Sequence, residues 1–226
     1  MWNTLAGIVV AGALALYLIA RYRRDREKRR REPERFFERA AGMLDGGRLE
    51  DTGAVGYPRL AGRYRDLPVQ VLPVIDTLAT RRLPALWLLV TIQDALPLAS
   101  SLDLMMRPTG PTTFSNFDLL PHTIERPAAF PEHAVLRTDR PHPPFPASVL
   151  EPHLDVFADM RAKELLITPT GVRIVWLLAE AGRARYGVLR EADFGGADLD
   201  PALLRDLLDR LVTVRESLLD WSRRNP

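Results

Sequence analysis

Few residues in this chain have types and spacings that could do chemistry. Four histidines, His122, His133, His142 and His153, could ligate a metal or move a proton. None stands in a His-Glu-x-x-His pattern or beside a carboxylate at ligand spacing. Three lie in a proline-rich stretch, where an isolated histidine more often serves structure. Ser148 lacks the Gly-x-Ser-x-Gly elbow of an activated serine, and with Glu151 it has the spacing of a helix capping box. The run "GGRLEDTGAVG" has no Lys-Ser/Thr to make a phosphate loop, and "DFGG" at Asp193–Gly196 stands without any other kinase signature. Cysteine is absent, which excludes disulfides, thiolate metal sites and cysteine nucleophiles. The sequence therefore assigns no catalytic residue, no metal site and no cofactor.

What remains is a candidate binding loop. "MMRPTGPTTFSNFD", Met105 to Asp118, gathers polar and aromatic side chains between two ordered regions. Arg107, Ser115, Asn116 and Asp118 are its candidate ligand contacts, because binding groups concentrate on loops held by a rigid scaffold. The competing reading is a loop whose side chains satisfy its own backbone. Arg81 and Arg82 in "TRRLP" are weaker candidates for lipid headgroups, since paired arginines ahead of a strand are ordinarily solvated.

These residues need elements to hold them. "YPRLAGRYRDLPVQVLPVID" alternates with period two and predicts a hairpin turning at Asp66–Pro68, with Pro73 placing its strand at an edge or a bulge. "PALWLLVTIQD" is apolar on both faces, as in a central strand, and Leu102–Met106 is its expected partner. Residues 107–147 are dense in proline and read as irregular chain over the sheet, with "HAVLRTD" a candidate strand. Helix is expected from Pro33 to Met43 and from Ser148 to about Ala162. "ELLITPTGVRIVWLL" is the clearest hairpin, joined at Pro169–Gly171, and "ARYGVLR" could add a strand. From Asp200, a cap followed by Pro201, a leucine stripe predicts a long helix packed on the sheet.

The N-terminus sets the expected location. Met1 to Ala20 holds no charged residue, whereas Arg21, Arg23, Arg24, Arg26, Lys28, Arg29, Arg30 and Arg31 follow with only Asp25 and Glu27 against them. A cleaved leader has the opposite charge order. The apolar segment is about as long as the ~20 residues that cross a bilayer, with Trp2 and Tyr17 towards its ends. Its arginine side should face the cytoplasm, with those eight basic residues on the anionic headgroups of the cytoplasmic leaflet. Gly7, Ala11 and Ala15 could pair two such helices as a homodimer. A nucleic-acid arm is the alternative for a chain of net charge +2. Residues 32–226 hold 31 − 8 = 23 basic and 29 − 2 = 27 acidic residues, a net of −4, so they offer no basic face and no nucleic acid is expected. Arginine outnumbers lysine, which occurs only at Lys28 and Lys163, the bias of a GC-rich bacterial genome.

The sequence thus predicts an α+β protein: a single N-terminal transmembrane helix over 1–20, a basic juxtamembrane helix over 21–47, and a cytoplasmic antiparallel β-sheet domain flanked by helices over 48–226. It would be a single-pass, signal-anchored protein of a bacterial inner membrane, N-terminus outside. Its expected function is a binding or scaffold module with a protein partner at the membrane; the rival is a membrane-associated enzyme acting on a lipid-linked substrate. A cleft with convergent, perturbed ionisable groups favours the enzyme and a flat surface the module.

Overall fold

The computed structural model describes Tyr17 and residues 35–52, 56–78, 83–183, 186 and 192–225. The described residues form nine strands: β1 (Asp45–Glu50), β2 (Arg59–Tyr64), β3 (Leu67–Asp76), β4 (Ala85–Ile92), β5 (Leu102–Met106), β6 (His122–Ile124), β7 (Ala134–Thr138), β8 (Ala162–Thr168) and β9 (Gly171–Glu180). They form one sheet in the order β1-β2-β3-β4-β9-β8-β5-β7-β6, every pairing antiparallel. The β2–β3 hairpin turns at Arg65 and Asp66, both at positive φ (49° and 64°), one step earlier than the proline suggested. Pro73 lies where β3 has outrun β2, whose pairing stops at Val71, so its missing N–H breaks no ladder on that side. β4 is central as expected, but its neighbours are β3 and β9; β5 pairs with β7 and β8 instead.

Period two gives the sheet two different faces. On the first, Val71, Leu88, Val90, Leu104, Leu165, Ile174 and Trp176 are buried beneath Phe36, Phe37, Leu150, Leu154 and the leucines of α1 (Pro201–Arg224). Asp200 caps α1 by accepting from the Ala202 amide at 3.0 Å, and Leu204, Leu207, Leu208, Leu211 and Leu218 form the buried stripe. The second face carries a smaller cluster of Leu89, Met105, Val175, Phe114 and Phe117.

The expected α+β fold is corrected to a mostly β one: among the described residues α1 is the single long helix. Arg35 is helical, but residues 36–40 form turns and Ala41–Met43 a 3-10 segment, and β1 begins at Asp45 and runs through Gly46 and Gly47. The segment after Ser148 is 3-10 (Ala147–Val149 and Glu151–Ala158), and Ser148 makes no capping bond. Pro152 supplies no N–H to an α-ladder there, and Ala162 already belongs to β8.

The transmembrane, single-pass and signal-anchor assignments are also corrected. No helix among the described residues is long and apolar enough to cross a membrane; α1 has the length but exposes residues such as Arg205 and Asp206. Met1–Ala20 apart from Tyr17, the basic run Arg21–Arg31, the Gly7/Ala11/Ala15 face, Arg81 and Arg82, and most of "ARYGVLR" lie outside the described residues.

Candidate functional site

The second face is where polar residues break the apolar alternation. Asp103 interrupts β5, Glu164 and Thr168 lie on β8, and Arg173 on β9 is paired with Thr91 of β4. Arg173 donates from Nε to the Thr91 hydroxyl at 3.0 Å. Over this patch runs the segment 107–121. It leaves β5 at Arg107, which takes a positive φ of 46°. Lys163 Nζ donates to the carbonyls of Met106 and Arg107 at 2.6 and 2.8 Å, fixing that departure. Phe114 packs on Trp87, ring centroids 4.8 Å apart, and Thr113 Oγ1 donates to the Ile75 carbonyl at 3.3 Å. At the far end Arg137 Nη1 reaches the carbonyls of Phe117, Asp118 and Leu120 at 3.5, 3.1 and 3.4 Å, and the guanidinium stacks 5.1 Å from the Phe117 ring centre.

Between strap and sheet lies a cavity of about 380 Å³, within the ~300–1,000 Å³ of small-molecule sites. Asp103, Glu164 and Arg173 line it from the sheet; Thr112, Thr113, Ser115 and Asn116 line it from the strap, with Phe114, Leu120 and Leu166 as its apolar wall. A shallower groove of about 180 Å³ continues past Thr168 and Arg173 to Thr91, Gln93 and Thr170.

The two acids set its electrostatics. Asp103 is 2% exposed and Glu164 is fully enclosed. Burial, then the neighbouring Glu164, pushes the Asp103 carboxyl up to about 9, against the pull of Arg173. Burial likewise raises Glu164 to about 7, opposed by the Ser115 hydroxyl, Arg173 and Lys163. Asp103 Oδ1 and both carboxyl oxygens of Glu164 have no hydrogen-bonding partner at bonding distance among the described residues. Ser115 Oγ meanwhile accepts from the Phe117 amide at 3.1 Å.

Of the sequence candidates, Ser115 and Asn116 line the cavity; Arg107 and Asp118 do not. Arg107 instead donates to the Met160 carbonyl at 3.1 Å, and Asp118 is exposed. No histidine lines the cavity. His153 shares a 2.9 Å hydrogen bond between Nε2 and Ser217 Oγ, and burial holds its pKa below the usual imidazole value. No group of three His, Asp or Glu side chains is placed to hold a metal among the described residues. Sequence reasoning missed Asp103, Glu164 and Arg173. The available signal was an acid inside each of two apolar strand runs, "LDLMM" and "KELLIT".

Fold and site together define an antiparallel β-sheet domain with a polar cavity beneath a strapped loop. No family model and no curated protein matches the chain. Among solved structures it is similar to the mycobacterial trehalose monomycolate transport factor A, TtfA, with a TM-score of 0.44 and 10% sequence identity over 87% of this chain and 97% of that one.

Proposed function

We propose that this chain is a binding module that works at an anionic membrane surface and holds a small polar ligand between the 107–121 strap and the sheet. The observation that carries this reading is the polar-lined cavity itself, with two buried carboxyls, Asp103 and Glu164, among its lining residues, three of whose oxygens make no hydrogen bond of normal length to the described residues. Buried acceptors left without donors each disfavour the fold by roughly 1–3 kcal/mol, and a ligand carrying donors offsets that cost. The basic run Arg21–Arg31 supplies the membrane side of the proposal, each residue contributing about 1 kcal/mol near an anionic leaflet.

A second reading, a membrane-associated enzyme on a lipid-linked substrate, is favoured by one feature: two neighbouring carboxyls with pKa values of about 9 and about 7, the kind of separation that divides acid from base. Chemistry there would rest on the carboxyls, because no histidine lines the cavity to activate Ser115 or the threonines.

A panel of small neutral, cationic and anionic fragments, titrated into isotope-labelled full-length protein, tests the proposal. Shifts should cluster on Ser101, Ser115, Asn116, Thr168 and Arg173 and disappear in an Asp103→Leu/Glu164→Leu variant that remains folded. Shifts clustering elsewhere refute the site. Turnover of a lipid-linked substrate that Glu164→Gln abolishes while binding persists would establish the enzyme instead.

A further inference from the structure

We propose that the cavity under the strap selects an uncharged polyhydroxylated ligand, a sugar ring or cyclitol, held by hydroxyl groups that both donate and accept. This inference rests on the binding-module reading and names its ligand class.

The charges around the cavity argue against either kind of ion. A cation would approach Asp103 and Glu164, but these acids are already faced by cations from three strands. Arg173 on β9 acts on both, Lys163 on β8 acts on Glu164, and Arg137 on β7 stands directly opposite Asp103 in the register. An anion would meet Arg173, yet it would also meet two enclosed carboxyls. Desolvation makes either mismatch costly at such a site. Metal binding fares no better, because a third ligating side chain is lacking among the described residues.

A neutral ligand with hydroxyls fits what is left. Asp103 Oδ1 and the two Glu164 oxygens are buried acceptors without a partner at bonding distance among the described residues, on side chains that line the cavity. Donors come from the Arg173 guanidinium and the Asn116 amide; the Thr112 hydroxyl can serve in either role, while Thr113, which donates to the Ile75 carbonyl, can still accept, and Ser115, which accepts from the Phe117 amide, can still donate. Adjacent hydroxyls on a ring present alternating donors and acceptors at a spacing that planar carboxyl, amide and guanidinium groups can bridge. Phe114, Leu120 and Leu166 supply the apolar wall against which the C–H groups of such a ring can lie. A raised carboxyl pKa adds to the fit: near neutral pH a protonated acid can donate to a ligand hydroxyl while its carbonyl oxygen accepts.

The test uses the full-length chain and four probes: D-glucose, myo-inositol, propylammonium and inorganic phosphate, each titrated at neutral pH while the amide resonances of Ser115, Asn116, Thr168 and Arg173 are followed. The expected result is saturable binding of glucose or inositol, with the two competing, weakened by about tenfold or more in Asp103→Asn and in Arg173→Gln. Asp103→Asn keeps the side-chain size and Arg173→Gln shortens the side chain while keeping an amide donor, and circular dichroism of each variant confirms that loss of binding is not loss of fold. Propylammonium or phosphate binding at these residues while both polyols fail would overturn the ligand class and leave the binding-module reading standing. If no probe moves these resonances, while charged and neutral fragments also leave them unmoved, both readings fall.

Discussion

Asp103 on β5 and Glu164 on β8 are diagonal neighbours on one face of the sheet: Asp103 is paired with Leu166 and Glu164 with Met105. Diagonal neighbours lie about 7–8 Å apart at Cα, so each carboxyl sits in the field of the other with little water between them.

The first prediction is a stability that falls as pH rises. Both carboxyls have folded-state pKa values above their usual 3.8 and 4.5. The folded state therefore binds more protons than the unfolded state across that interval, and the slope of stability against pH is negative. The contribution is complete below about pH 4, lost through about 7 for Glu164 and through about 9 for Asp103. Urea midpoints at about pH 5, 7 and 9 should decrease in that order, with Glu164→Gln flattening the lower part of the curve and Asp103→Asn the upper. A midpoint that rises across the range would mean that the pair is ionised in the folded protein.

The β8–β9 hairpin separates core from site. Trp176 is buried on the first face, with the Arg161 guanidinium 5.1 Å from its ring centre. Trp176→Ala should cost about 3–5 kcal/mol. Arg173→Gln, on the other face, should cost under about 1 kcal/mol and should raise both carboxyl pKa values, since Arg173 lowers them. Equal destabilisation by the two would show that Arg173 is structural.

Gly171 is required by close approach. Its φ is +152°, and a Cβ there would lie 2.1 Å from the Ile92 carbonyl oxygen. Gly171→Val should destabilise by more than about 2 kcal/mol and separate β9 from the end of β4, read as faster amide exchange at Gln93 and Val172. Exchange that stays at the wild-type rate would contradict the contact.

Arg137 is the far anchor of the strap. Arg137→Met keeps a long apolar stem but removes its donors to three carbonyls. Amide exchange at Leu119 and Leu120 should accelerate by about tenfold or more while β4 and β9 remain protected. Uniform acceleration would indicate a global loss of stability.

The N-terminal boundary can be cut on either side of Phe36 and Phe37, which are buried in the main core. A fragment beginning at Glu32, of net charge −4, should unfold cooperatively. One beginning at Gly56 lacks both rings and β1 and should not. Anionic vesicles should sediment the full chain but not the Glu32 fragment, because roughly 1 kcal/mol per basic residue is lost with Arg21–Arg31; equal sedimentation would place the lipid contact elsewhere.

The sequence by itself determined the elements whose signals are local. Alternation marked β2 and β3, a run apolar on both faces marked β4, β-rich runs about a turn marked β8 and β9, and the Asp200–Pro201 cap and leucine stripe marked α1, all signals that depend only on residues close in the chain. It misjudged the segments after Pro33 and Ser148, where apolar spacing suits an α-helix equally well and where packing and Pro152 select turns and 3-10 geometry instead. The site was half legible: Ser115 and Asn116 stand out on a loop, but Asp103 and Glu164 each read as one polar residue in an apolar strand. Only the tertiary structure brings them together, because β5 and β8 become neighbours through pairings between residues some sixty positions apart. Their properties belong to that arrangement. A carboxyl's pKa is set by the water it loses and the charges it meets, and both are decided when the 107–121 strap closes over the sheet.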